Sequence, residues 1–170
     1  LALDKLLADG YWQRGVLERK SGAVKDAIKN LKHALELKPG RIEAHAALAE
    51  AYEDTNDTAG AMAEWQKAIA GNDKEALWRW KYGKLLAVKG QNADAAKHLA
   101  YAVEHGKELQ PRPAWVGLAA FEAGEAQRKT GQKADACANY KFFLETAAPG
   151  SADRKEALSG QKQLGCTEGE

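Results

Sequence analysis

Cysteine occurs twice in 170 residues, proline four times and methionine once. Two cysteines are too few for a disulfide-built fold, and Cys137 and Cys166 lack any Cys-x-x-Cys or zinc-site spacing. No proline falls inside a strongly periodic segment. No apolar run is long enough to span a bilayer, and no signal-peptide pattern stands at the start. An excess of one charge is missing too. Lys and Arg number 25 against 24 Asp and Glu, a net charge of +1. Nothing therefore draws the chain as a whole to nucleic acid or to an anionic membrane surface. Position 1 is Leu rather than Met, which reads as a processed chain or an excised domain. The compartment is then not legible from the N-terminus, and a bacterial periplasm and a cytoplasm both stand open.

What remains is rich in Ala, Leu, Glu and Lys, residues that favour helix. Small residues recur along it with a fixed step. Gly15, Ala49 and Gly83 stand 34 residues apart, as do Ala27, Ala61 and Ala95. Leu31, Trp65 and Leu99 follow the second set by four, and Ala34, Ala68 and Ala102 follow those by three. A fourth unit reads Gly124, Gly131, Ala136, Tyr140, Phe143 and Pro149. Two helices approach closely where small residues face each other, so Gly15 with Ala27, Ala49 with Ala61 and Gly83 with Ala95 are the expected contacts. Tyr52, Trp65, Tyr82, Leu86, Leu99 and Tyr140 fill the space between layers. Gly22, Gly90 and Gly131 sit where a turn joins the helices of a pair, and Asn56 takes that place in the second unit.

A period of 34 with this small-x3-large spacing resembles the tetratricopeptide repeat. The resemblance covers most of the chain and is best in the second unit: His45, Leu48, Ala49, Tyr52, Ala61, Trp65 and Ala68. It implies an all-α, right-handed solenoid of about four helix-turn-helix repeats with a C-terminal capping helix. The expected layout is one domain over 1–170, with repeats near 8–41, 42–75, 76–109 and 113–150 and a cap over 151–166. The first unit departs from the pattern, since Arg14 and Glu18 stand where Leu and an aromatic belong. Leu3, Leu6 and Leu7 at helical spacing either extend its first helix or form a separate cap. The step from Gly83 to Gly124 is seven residues too long. The first-turn character of Pro113 places that excess at the start of a long helix near 113–130, with Trp115 on the added turns.

Catalytic patterns are missing. His33, His45, His98 and His105 lie in different places of the repeat, with no HExxH spacing. There is no Gly-rich phosphate loop and no G-x-S-x-G. His45 occupies a packing position. The chain reads as a non-enzyme without cofactor or metal, whose partner is a protein or peptide. Neither nucleic-acid binding nor membrane insertion is expected.

In the resembled family the first helices of successive pairs line a groove. The resemblance puts Trp12, Ala46, Trp80 and Phe121 on that face, then Val16, Glu50, Lys84 and Glu125, then Arg19, Glu53, Ala87 and Arg128. Aromatics beside Arg and Lys make binding anchors. On this reading Trp80→Ala and Phe121→Ala abolish binding with little loss of stability. The plain alternative is that Trp12 and Trp80 pack against their own neighbours. Some family members clamp a chaperone C-terminus with Lys and Asn. Trp12, Val16 and Ala47 stand at those places here and only Lys81 suits, so that ligand is excluded. The expected function is an adaptor scaffold holding a partner's peptide or helix. The rivals are a self-associating segment of a longer array and a regulatory appendage of an enzyme domain. The Ala-rich, degenerate repeats have a bacterial character.

Two readings stand for the cysteines. Cys137 follows the turn at Gly131 and Cys166 follows the last turn of the cap, so both fall at one end of the stack. They form either a bridge, which argues for an oxidising compartment, or two separate thiols.

Overall fold

The computed structural model describes residues 2–166, with side chains from Leu6 onward. The ends of the expected domain, Leu1 and 167–170, and the Leu3 side chain lie outside the described residues. Every regular element among those described is a helix: α1 (Ala2–Lys20), α2 (Val24–Leu37), α3 (Ile42–Asp54), α4 (Thr58–Gly71), α5 (Ala76–Val88), α6 (Asn92–Glu108), α7 (Trp115–Lys129), α8 (Lys133–Thr146) and α9 (Ala152–Leu164). Residues 2–9 extend α1 rather than forming a separate cap. The contacts divide the chain into two compact units, Leu1–Trp78 and Arg79–Glu170, with the boundary inside α5.

The turns are short because their residues tolerate the left-handed region. Asn56 stands at φ 59°, and Gly22, Gly90 and Gly131 also have positive φ. Among the described residues the starts of α4 and α9 carry side-chain caps. Asp57 accepts from the Gly60 amide at 2.9 Å, and Ser151 accepts from the Arg154 amide at 3.3 Å.

In the first unit α1 packs on α2, α2 on α3, and α3 on α4. Its core holds Leu31, Ala47, Leu48 and Ala51, with Trp12, Val16, Val24, Ile28, Leu35 and Tyr52 packed around them. Arg14 and Glu18, the residues that break the repeat pattern, form an ion pair at 2.7 Å, and Asn30 donates to Glu18 at 2.6 Å. The polar pair thus replaces the expected Leu and aromatic on a face that keeps Arg14 exposed. His45 faces the buried Glu64 at 2.5 Å and the Pro39 carbonyl at 2.9 Å. It tethers α3 to α4 and to the preceding turn.

In the second unit α6 packs on α7, α7 on α8, and α9 on both α8 and α7. The glycines of the first helices make room for the large side chains of the second helices. A Cβ on Gly83 would stand 2.8 Å from Leu99 Cγ, and one on Gly124 2.8 Å from Tyr140 Cε1. In the first unit Gly15 behaves likewise toward Leu31 at 2.7 Å, although the Ala27 carbonyl is also near at 3.1 Å. At Gly83 the bulky residue four positions beyond Ala95, Leu99, fills the gap.

The seven extra residues do not lengthen one helix. Compared with α3, α4 and the loop between α2 and α3, α6 gains three residues, the loop after it two, and α7 two. Helix α7 begins at Trp115 and not at Pro113. The α6 extension brings Gly106 against α7, where a Cβ would meet Val116 at 2.8 Å and Trp115 at 2.9 Å.

Cys137 and Cys166 are joined by a disulfide, Cα–Cα 5.7 Å, closing a loop between positions 29 residues apart. Helix α9 buries few residues of its own, notably Ala157 and Gly160. Arg154 also donates to the Leu144 and Ala147 carbonyls at the end of α8, at 2.5 and 3.3 Å. Replacing Cys166 with Ser is expected to lower the stability of the second unit by about 2–4 kcal/mol. Urea unfolding of oxidised protein measures this. An unchanged midpoint would mean that Arg154 and the apolar contacts hold α9 alone.

Candidate functional site

The first-helix face of the first unit carries Trp12, Val16 and Arg19 from α1 and Ala46, Glu50 and Glu53 from α3. Arg19 binds two carboxylates, Glu50 at 2.7 Å and Asp54 at 2.8 Å, and all three side chains keep partial exposure. Glu53 accepts from the buried Trp65 indole N–H at 2.7 Å, which turns it toward α4. Ala46 is buried and Val16 half-buried. Trp12 is not a bare anchor. It packs on the core, Arg41 lies 4.1 Å above its ring, and its Nε1 is buried without a hydrogen-bond partner.

In the second unit the corresponding face holds Trp80, Lys81 and Lys84 from α5 with Phe121, Glu122, Glu125 and Arg128 from α7. Trp80 is 9% exposed. Its ring stacks on Trp115 at 5.4 Å, with Lys84 Nζ 5.1 Å and Lys81 Nζ 5.7 Å from its centroid. The expectation of open aromatic anchors at Trp12 and Trp80 is corrected: both indoles are already largely withdrawn from water by their own neighbours. Phe121 is partly exposed and packs against Phe143, ring centroids 5.1 Å apart. Leu118, 43% exposed, lines a cleft of about 350 Å³ bounded by α7, the end of α8 and the start of α9. Ala87 lies further along α5 and is half-buried.

Glu125 and Arg128 form one network with Tyr140. Arg128 pairs with Glu125 at 2.7 Å, and the Tyr140 hydroxyl donates to Glu125 at 2.5 Å. Burial alone would raise the Glu125 pKa, but the hydrogen bonds from Arg128 and Tyr140 hold it below the usual carboxylate range. Burial and the Glu125 contact push the Tyr140 hydroxyl well above its ordinary value.

Sequence reasoning missed Glu122. It occupies the repeat position of Gln13, Ala47 and Lys81 and resembles any surface glutamate in an Ala-rich helix. Its Oε2 accepts from Trp80 Nε1 at 2.6 Å. Burial pushes its pKa up to about 7, against the opposing pull of Trp80 and Lys84. The unfolded chain ionises this group near 4.5. The folded state therefore holds the proton longer, and Glu122 costs stability progressively as pH rises from about 4.5 to about 7, with the cost constant above that. Glu122→Gln keeps an acceptor for Trp80 and removes the ionisation. It is expected to stabilise the protein by about 1–3 kcal/mol at pH 8 relative to its effect at pH 4. Urea unfolding at both pH values checks the difference, and a pH-independent effect would contradict the raised pKa of Glu122.

Residues 18–87 match the family model of the tetratricopeptide repeat. No curated protein sequence matches the chain. Among solved structures the chain is similar to YrrB, described as a TPR protein with an unusual peptide-binding site, at TM-score 0.79 and 18% identity over 93% of this chain and 78% of that one. It is similar to MamA at TM-score 0.70 and 22% identity, over 89% of this chain and 81% of that one. A third likeness is the first TPR of Spaghetti (RPAP3) bound to an HSP90 peptide, at TM-score 0.59 and 20% identity over 75% and 93% of the two chains. Identities at this level speak to fold. Residues 18–87 carry the tetratricopeptide repeat, and the chain shares the all-α repeat fold of these structures. No helix of the described residues is long and apolar enough to cross a membrane.

Proposed function

We propose that the chain is a non-catalytic adaptor, a single tetratricopeptide domain that holds a peptide or helix of a partner protein on its first-helix faces. One observation carries this reading. The same two repeat positions hold an acid–base pair in each unit: Glu50 with Arg19 in the first and Glu125 with Arg128 in the second. Each pair stays partly exposed beside a half-buried apolar residue, Val16 or Phe121. Charges already fixed by intramolecular partners lose little freedom on binding, so they set register and specificity at low entropic cost. Affinity comes from covering Phe121, Leu118 and Val16, with Trp12 and Trp80 as the rigid floor beneath. The YrrB structure, described with a peptide-binding site, and the Spaghetti structure, bound to an HSP90 peptide, support the same use of the fold.

Lys84 gives the direct test because it rests on the Trp80 ring at the surface. For a peptide selected against the intact protein, Lys84→Glu is expected to weaken binding at least tenfold, about 1.4 kcal/mol or more, with the melting temperature nearly unchanged. Unaltered affinity would move the binding surface elsewhere.

A second reading, self-association, is favoured by α1. Leu6 and Leu17 are 70% and 66% exposed and lie three turns apart on one helix face. Light scattering across concentrations separates the two, since an adaptor alone predicts a constant monomer mass.

A further inference from the structure

We propose that the α1–α3 face of the first unit carries an acceptor subsite at Trp12 and Arg41, which takes the side-chain amide oxygen of a partner's glutamine. The repeat itself supplies the comparison. Trp12 and Trp80 occupy the same repeat position, two steps of 34 apart. In the second unit the Trp80 indole N–H is met by Glu122 of the following first helix, at 2.6 Å. In the first unit Ala47 of α3 stands at the repeat position of Glu122 and ends at its methyl group. Trp12 packs on the cluster that contains Ala47, and among the described residues nothing accepts from its buried Nε1. The second unit thus completes its tryptophan with a side chain of its own, and the first leaves that acceptor to a partner.

A further donor lies against the Trp12 ring. Arg41 stands 4.1 Å above it, and the buried Arg41 Nε also lacks an acceptor. The guanidinium is held by Asp9, which accepts from Nη1. Glu43 lies 4.0 Å from Nε, beyond hydrogen-bond reach. Buried N–H groups left unmet cost free energy, and an oxygen brought to them recovers it. Charge selects which oxygen. Asp9 and Glu43 already outnumber Arg41, so a carboxylate is repelled and a neutral amide oxygen fits. Depth selects its carrier. The buried Nε1 is out of reach of a main-chain carbonyl, whereas glutamine ends in an amide oxygen and has the length of Glu122. Entry takes a rotation of the flexible Arg41 side chain, the kind of rotamer change common at interfaces. The subsite rests on the adaptor reading above and adds to it what the partner must present.

The test uses peptides selected from a random library against the intact, oxidised chain. Each is remade with its glutamine changed to glutamate and to methionine. The expected result is a glutamine recurring at one peptide position, with both remade peptides bound about tenfold more weakly or worse. Ala47→Gln supplies the amide within the chain, as Glu122 supplies a carboxyl to Trp80. It is expected to weaken the glutamine peptide by about tenfold and to leave the methionine peptide unchanged. The Trp12 indole N–H proton should move downfield when the glutamine peptide binds to wild type and hold still with the methionine peptide. Binders without a recurring glutamine, or a glutamate version that binds as tightly, overturn the subsite and leave the adaptor reading standing. Failure to select any binder overturns both. Should Ala47→Gln fail to fold, the wild-type indole resonance decides.

Discussion

Tyr140→Ala is expected to destabilise the second unit by about 3–5 kcal/mol, the range for deleting a fully buried aromatic ring. Tyr140 is completely buried, and two glycines from different helices close on it. A Cβ on Gly124 of α7 or on Gly160 of α9 would stand 2.8 Å from its ring. The ring is thus the wedge on which α7, α8 and α9 meet. Neither neighbour has a side chain that could move into the space left behind. The hydroxyl adds a separate contribution, because it donates to Glu125 at 2.5 Å. Tyr140→Phe should cost about 1–2 kcal/mol by leaving that carboxylate one donor short. Urea unfolding, with hydrogen exchange across α7–α9 to localise the loss, measures both. A loss below about 1 kcal/mol for the alanine variant would show that the helices can collapse onto the cavity.

Trp80→Ala should cost nearly as much, about 3–5 kcal/mol. This reverses the expectation drawn from its repeat position, where a groove-facing aromatic would be removed with little effect on folding. The indole loses its stack on Trp115, its hydrogen bond to Glu122 and the two lysines resting on it. Phe121→Ala provides the contrast. Phe121 keeps partial exposure, so its truncation should cost about 1–2 kcal/mol, following the smaller area removed from water. Denaturant unfolding of the two variants side by side checks the ranking. Equal losses would mean that Phe121 is as much a part of the core as Trp80. A small loss for Trp80 would restore it as an open anchor.

The repeat was legible because its constraint is local and periodic. A 34-residue step in Gly and Ala marks where helices approach, and Asn56 could be matched to Gly22, Gly90 and Gly131 because one turn conformation selects for both. The fate of the seven extra residues was not legible. Three small changes in α6, the loop and α7 share them, and a residue count cannot partition a sum. The covering of Trp12 and Trp80 was not legible for a related reason. Their covers, Arg41 and Trp115, lie 29 and 35 residues away and outside the repeat consensus. Glu122 left no signal of its own, since the burial that perturbs it depends on Trp80 from another helix. Arg14 and Glu18 broke the pattern visibly, but their pairing with each other and with Asn30 became clear only in three dimensions.

The central claim is that a partner segment lies along the first-helix faces. Backbone amide shifts of the labelled, intact protein measure it most directly, recorded while a peptide selected from a random library against that protein is titrated in. The account predicts shifts concentrated at Val16, Arg19 and Glu50 or at Lys84, Leu118, Phe121 and Glu125. Helices α2, α4, α6 and α8 should stay silent on their outer faces. Shifts confined to those second helices, for example around Lys97, Glu104 and Ala138 in the cleft between α6 and α8, would contradict it.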